Sequence, residues 1–263
     1  MKPTRLLIAS VAALCLLASC KSGYEQLLSG NNVEAKYKAA FEYFNQGKYR
    51  KSADLFESML VLTSGTPQDD TVQFYWALSN YRDKDYITAE ANFKSFLDKF
   101  PGSPFAENAE FLRVDCLYKA TNRWELDQTP TYAALVAINE YQMKYPGSVN
   151  SAVCARMGED LDHRLDKKAF ENAYLYYKME KYRAARVALT NVLKDDADNI
   201  YREEILFYTA MSSYKYAENS VRNKQKERYM QFVDDYFNFV GEYPESSRCK
   251  ELEHLYKKAK EKI

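Results

Sequence analysis

Glycine and proline are scarce in this chain, 8 and 7 of 263 residues, about half their usual combined share. That shortage excludes a turn-rich β-sandwich, a collagen-like chain and a low-complexity chain. Histidine is rarer still. His163 and His254 each sit in a charged helical pattern with no second His or Cys at ligand spacing, and no CxxC pair occurs. Zinc and thioredoxin-like chemistry therefore have no ligand set. An excess of one charge is also missing, since Lys plus Arg equals Asp plus Glu at 37 each. Such a chain has no large field to hold a polyanion, and no nucleic-acid partner is expected. Glycine-rich phosphate loops and G-x-S-x-G elbows are absent. The acidic run Asp195-Asp196-Ala197-Asp198-Asn199 lacks the central Gly and the twelfth-position Glu of a calcium loop. The expectation is a protein that is not an enzyme, with no catalytic residue, cofactor or metal.

What the chain does have is rings: 23 Tyr, 14 Phe and 2 Trp. So many large apolar groups cannot stay solvated, so the chain must fold around them. With few helix breakers, long helices are the natural way to do so.

The first twenty residues address a compartment. Lys2 and Arg5 are followed by an apolar run, Leu6 to Leu17, too short for a comfortable bilayer span, and then by the small residues Ala18 and Ser19. Residues 1–19 read as a secretory signal. Leu17-Ala18-Ser19-Cys20 resembles the lipobox of bacterial lipoproteins, which implies that Cys20 is acylated and becomes the first mature residue. The other reading is an ordinary signal with a coincidental Cys. Several acyl chains on one residue give stable attachment, so the chain is expected to be anchored to the membrane without spanning it. Residues 20–32 are polar and read as a flexible tether, with structure beginning near Val33. Cys15 leaves with the signal, so Cys116, Cys154 and Cys249 remain, most simply as helix cysteines, with one disulfide between two of them left open by an oxidising compartment.

Internal repeats organise the remainder, 33–263. Phe96 to Ser103 (FLDKFPGS), Tyr141 to Ser148 (YQMKYPGS) and Phe239 to Ser246 (FVGEYPES) share one pattern, the last turn of a helix stopped by Pro. Seven residues before each first aromatic stand Ala89, Ala134 and Phe232, with Phe93, Ile138 and Tyr236 four residues further on. Ser52 to Phe56 and Ala185 to Leu189 repeat that step. A small residue one turn before a large one suits two closely crossing helices. Five register marks give about five helical hairpins, with an N-terminal half over 33–125 and a C-terminal half over 126–263.

Ala40 to Tyr49 with Ser52 and Phe56, and Ala77 to Tyr86 with Ala89, Phe93 and Pro101, resemble the tetratricopeptide repeat. The implied fold is all-α, a right-handed superhelix of hairpins. Aligning Ser52 with Ala89 places Tyr37, Phe41 and Phe44 opposite Phe74, Leu78 and Tyr81. On the concave side of a superhelix this aromatic stripe suits an extended, β-prone peptide. Plain core packing against a neighbouring helix demands the same stripe, and both readings stand at this point. The basic stretches Arg222–Arg228 and Lys250–Lys262 likewise suit either an acidic partner or solvent.

An ordered set of segments extends the resemblance. After the lipobox come the hairpin carrying Gly47-Lys48-Tyr49, Asp85 to Phe111, Asp127-Gln128-Thr129-Pro130, Tyr141 to Met157 and Ala173 to Leu189. This order resembles the BamD-like family of tetratricopeptide lipoproteins of the outer-membrane β-barrel assembly machinery, over roughly Tyr37 to Tyr243. The resemblance implies an outer-membrane lipoprotein on the periplasmic face, a scaffold that binds a BamA-like barrel subunit and unfolded outer-membrane proteins. The rival expectation is a tetratricopeptide lipoprotein adaptor that positions a periplasmic cell-wall enzyme or binds a glycan. If Cys20 is the anchor, Cys20→Ala blocks processing and leaves the protein out of the membrane fraction, as fractionation with globomycin as control will show.

Overall fold

The computed structural model describes residues 23–263; the signal over 1–19 and the lipidation site Cys20 lie outside them. Among the described residues the chain is all α, with twelve helices and no strand. They are α1 (Gly23–Ser29), α2 (Val33–Asn45), α3 (Tyr49–Glu57), α4 (Asp69–Arg82), α5 (Tyr86–Lys99), α6 (Ala106–Lys119), α7 (Thr129–Lys144), α8 (Ser151–Lys178), α9 (Tyr182–Asp195), α10 (Arg202–Glu218), α11 (Arg222–Glu242) and α12 (Cys249–Lys260). Five hairpins, α2–α3, α4–α5, α6–α7, α8–α9 and α10–α11, match the five register marks. None of the described helices is long and apolar enough to cross a membrane.

The tether expected over 20–32 is corrected here. Residues Gly23–Ser29 are helical, because Tyr24, Leu27 and Leu28 recur at one-turn spacing and pack on the cluster of Ala40, Leu55 and Phe56. The Tyr24 hydroxyl donates to Asp54 Oδ2 at 2.8 Å. Lys36 Nζ donates to the Leu28 carbonyl at 3.0 Å, closing the end of α1. The polar composition of the segment concealed a short apolar face.

Two compact units form. The first holds the described residues up to Thr121 together with Val136–Cys154, and the second holds Asn122–Leu135 and Ala155–Ile263. The expected division at 125/126 is thus interleaved, for two local reasons. Within the first unit Tyr141 of α7 packs on Phe111 of α6 at 6.0 Å, and Lys144 pairs with Glu110 at 2.6 Å. Within the second, Lys168 Nζ of α8 donates to the carbonyls of Trp124 (3.2 Å) and Leu126 (2.8 Å), holding that loop.

The register marks explain the packing. Ser52, Ala89, Ala134, Ala185 and Phe232 all have 0% exposure. At the first crossing Ser52 Oγ donates to the Ala40 carbonyl at 3.0 Å and lies 3.1 Å from Ser79 Oγ, so α2, α3 and α4 approach closely and satisfy the hydroxyls. Larger groups fill the space beside: Phe56, Phe93 and Leu189, each at 0% exposure, stand four residues after Ser52, Ala89 and Ala185. At the fifth mark Phe232 packs its ring on Tyr214 at 5.2 Å.

Three hairpin turns share one geometry. Gly47, Lys84 and Glu180 adopt φ of 73°, 67° and 58°. In each, the next residue's N–H donates back over the turn, Lys48 to Tyr43 (2.9 Å), Asp85 to Asn80 (3.0 Å) and Lys181 to Tyr176 (2.9 Å), which satisfies the helix-end carbonyls. The Pro-x-Ser stops recur as well. Phe100 and Tyr243 are the caps that precede Pro. Ser103, Ser148 and Ser246 each accept a backbone N–H two residues on; Ser103 and Ser246 also donate to the first helix of their hairpin, at Asp70 (2.9 Å) and Glu203 (2.6 Å), while Ser148 hydrogen-bonds Tyr141 (2.6 Å) of the helix it ends.

The second unit is tied by one buried pair. Arg186 of α9 binds the 6%-exposed Asp235 of α11 through both nitrogens, at 2.7 and 2.9 Å, and Ser213 of α10 donates to the same carboxylate. A bidentate pair with a third hydrogen bond on the same carboxylate holds three helices in one register. Cys116, Cys154 and Cys249 are free thiols. Burial, with Asp115 adding to it, pushes the Cys116 thiol up to about 12, so it stays protonated and unreactive.

Because Ala89 is fully buried in the core shared by α4, α5 and α6, Ala89→Trp is expected to destabilise the first unit by about 1–3 kcal/mol or more. A thermal melt followed by circular dichroism will register this as a lowered midpoint.

Candidate client-binding surface

The expected stripe lies in the first unit, and the structure divides it. Tyr37, Phe41 and Phe44 of α2 are half-buried and come together around a residue that the sequence pattern did not single out, Tyr75 of α4. Phe41 lies 4.9 Å from Tyr37 and 4.6 Å from Tyr75, while Phe44 lies 5.5 Å from Tyr75. Beyond Tyr75 the ladder reaches Phe105 at 6.3 Å. A one-residue offset separates Tyr75 from the aligned Phe74, and that offset decides which ring faces which side. Phe74 is only 2% exposed; it stacks on Phe105 at 4.6 Å and packs with Phe93 and Phe96. Phe74 is a core residue.

Leu78 is half-buried against that same core. Tyr81 is half-buried at the far end of the strip, 5.8 Å from Tyr86, and its hydroxyl donates to Asp115 Oδ2 at 2.6 Å. Lys119 Nζ donates to the Tyr81 oxygen at 2.8 Å and pairs with Asp115. The ammonium also lies 4.7 Å from the Tyr81 ring centre. Burial, aided by the bond to Asp115, raises the Tyr81 hydroxyl above its ordinary value. For Lys119 burial disfavours the charge, but the bonds to Asp115 and Tyr81 outweigh it and the group is held above the lysine range. The strip therefore runs from apolar rings at Tyr37 to a charged, hydrogen-bonding end at Lys119.

A second strip with the same spacing escaped the sequence reading. Tyr37, Phe41 and Phe44 precede Ser52 by 15, 11 and 8 residues, and Phe170, Tyr174 and Tyr177 precede Ala185 by the same 15, 11 and 8. In the second unit these rings stack, with Phe170 to Tyr174 at 5.5 Å and Tyr174 to Tyr208 at 4.3 Å. The last ring of each triplet meets the first residue of the next helix: Phe44 with Tyr49 (5.4 Å), Tyr81 with Tyr86 (5.8 Å), Tyr177 with Tyr182 (5.6 Å). Applying the first hairpin's offset to Ala185 would have found the strip.

The second unit also carries an open groove of about 710 Å³ with Tyr176, Tyr182, Val187 and Tyr216 in its lining. Arg183, Val187 and Tyr216 are shared with an adjoining groove of about 380 Å³ that Lys224 and Arg228 also line. Arg228 stacks on Tyr216 at 4.1 Å. The basic stretch 222–228 is the start of α11, and it borders this apolar floor. His163 and His254 lie on α8 and α12; no group of three or more His, Cys, Asp or Glu is placed to hold a metal among the described residues.

Stacked helical hairpins with recurring aromatic strips define a helical-repeat protein, a class whose faces serve recognition. The sequence matches the YfiO family, described as outer membrane lipoprotein, over residues 30–227, and the chain belongs to that family. It is 34% identical over 132 residues to a protein of Aquifex aeolicus named putative outer membrane protein assembly factor BamD, covering 49% of this chain and 43% of that one. It is 22% identical over 157 residues to the outer membrane protein assembly factor BamD of Caulobacter vibrioides, covering 59% of this chain and 51% of that one. The chain thus spans about half the length of the curated relatives it matches.

The divided stripe yields a direct comparison. Phe74→Ala is expected to cost about 3–5 kcal/mol of stability as a buried ring, and Tyr37→Ser distinctly less. Denaturant melts of the two variants, read side by side, check the difference.

Proposed function

We propose that the chain is a lipid-anchored scaffold of outer-membrane protein assembly that works by binding and not by catalysis. Cys20 holds it to the periplasmic face of the outer membrane. Unfolded outer-membrane proteins lie along the strip of Tyr37, Phe41, Phe44 and Tyr75, continuing past Leu78 to Tyr81, while a BamA-like barrel subunit docks on the groove of the second unit. Family membership and the names of the curated relatives support the assembly role. The observation that carries the client reading is the row of half-buried rings that ends in a fixed ammonium, Lys119. Rings offer apolar ledges to alternate side chains of an extended segment, and the Tyr81–Asp115–Lys119 cluster offers polar contacts at one end. For the barrel subunit the support is an apolar floor with a charged border in which Lys181, Arg183, Arg186, Lys224 and Arg228 outnumber Glu180 and Glu227, the composition of a docking surface for a partner with acidic and apolar groups.

Two measurements test the proposal. Affinity purification through a C-terminal tag is expected to bring down a BamA-like barrel subunit; recovery of a cell-wall enzyme without any barrel subunit would favour the adaptor reading. Phe44→Ser combined with Tyr81→Ser is expected to weaken binding of a peptide from the C-terminal strand of an outer-membrane barrel by about 1 kcal/mol or more, with helix content unchanged. Intact binding in a folded double variant would remove the strip from the client site.

A further inference from the structure

The first hairpin carries an arrangement that neither the client strip nor the groove uses. Helix α1 begins at the α2–α3 turn and ends at the opposite end of the hairpin. At its start the Tyr24 hydroxyl donates to Asp54, and Lys51 Nζ lies 5.0 Å from the Tyr24 ring centre and 5.5 Å from that of Tyr43. At its far end Lys36, only 3% exposed, donates from Nζ to the Leu28 carbonyl at 3.0 Å and to Ser58 Oγ at 2.9 Å. These contacts fix the direction of α1 against the hairpin, and the chain enters α1 beside Lys51.

Cys20 precedes Tyr24 by four residues, a reach of at most about 14 Å even if fully extended. An acyl chain buried in the bilayer holds Cys20 at the hydrocarbon boundary. The start of α1, beside the α2–α3 turn, is then kept within about 14 Å of that boundary, one to two Debye lengths at physiological salt. That turn is basic. Lys48, Arg50 and Lys51 are exposed, Lys48 hydrogen-bonds Gln46 at 2.9 Å, and the acid facing them is Asp54, 3.7 Å from Arg50. Positive charges within a Debye length of an anionic membrane surface are attracted to it.

We propose that the α2–α3 turn, through Lys48, Arg50 and Lys51, lies against the anionic phospholipid headgroups of the membrane that holds Cys20. This rests on the anchor reading above. A long flexible linker would let the first hairpin tumble free of the surface; a docked α1 removes that freedom, so the anchor sets where the first unit sits.

The test uses the mature protein, reconstituted in vesicles of phosphatidylcholine with phosphatidylglycerol, in vesicles of phosphatidylcholine alone and in detergent micelles. Amine acetylation is followed by mass spectrometry, with the exposed Lys94 and Lys258 as references. Lys48 and Lys51 are expected to acetylate several-fold more slowly on the anionic vesicles than in micelles, and Lys48→Glu with Arg50→Glu is expected to cut the protection of Lys51. Protection of equal size on phosphatidylcholine alone overturns the headgroup assignment. The N-terminal peptide of the same sample reports acylation independently. An acylated Cys20 with unprotected Lys48 and Lys51 overturns this surface and leaves the anchor standing, whereas an unacylated Cys20 overturns the anchor and this surface with it.

Discussion

Close approach of helices at small side chains is the constraint from which the rest of this molecule follows. Ser52, Ala89 and Ala185 sit three residues into the second helix of their hairpins, fully enclosed. Any larger group there would hold the helices apart, and the rings that fill the remaining space would lose their contacts. The positions 15, 11 and 8 residues before the small residue hold Tyr37, Phe41 and Phe44, then Phe74, Leu78 and Tyr81, then Phe170, Tyr174 and Tyr177, of which Phe74 and Phe170 are turned into the core.

The turns enforce the same register from the backbone side. Gly47, Lys84 and Glu180 each stand five residues before the small residue and each takes the left-handed conformation. Glycine adopts it freely, while Lys84 and Glu180 hold it at a cost of roughly 1–2 kcal/mol each. The helix-end hydrogen bonds and the ring pair across each turn offset that cost. A turn of this kind admits no extra residue without breaking the ring pair. The third hairpin has neither the turn nor the ring pair, and its longer connection, residues 120–128, is held by Lys168 from α8.

Half-buried rings serve two purposes in such a stack. Phe41 meets Phe56 at 5.2 Å on its inner edge and Tyr75 at 4.6 Å alongside, so it contributes to the core while leaving part of its face to solvent. A surface made this way is rigid before a ligand arrives, which reduces the ordering cost of binding. Arg186, Asp235 and Ser213 give the second unit comparable rigidity around its groove, which Arg183, Lys224 and Arg228 flank.

Periodicity and the small-large step sufficed to read the helices, their Pro-x-Ser stops and the hairpin count, because these are local properties of a chain with few breakers. The sequence also marked Phe74 as a stripe residue, and only the tertiary structure moved it into the core and put Tyr75 in its place. Helix rotation differs by a fraction of a turn between hairpins, and one residue of offset is a rotation of about 100°. The helix at Gly23–Ser29 was hidden because three apolar side chains justify a helix only when a neighbouring face exists to cover them. What the chain alone determined is its alphabet of crossings and caps; which rings face solvent, and where α1 begins, was decided when those crossings closed, because burial is a property of the neighbour as much as of the residue.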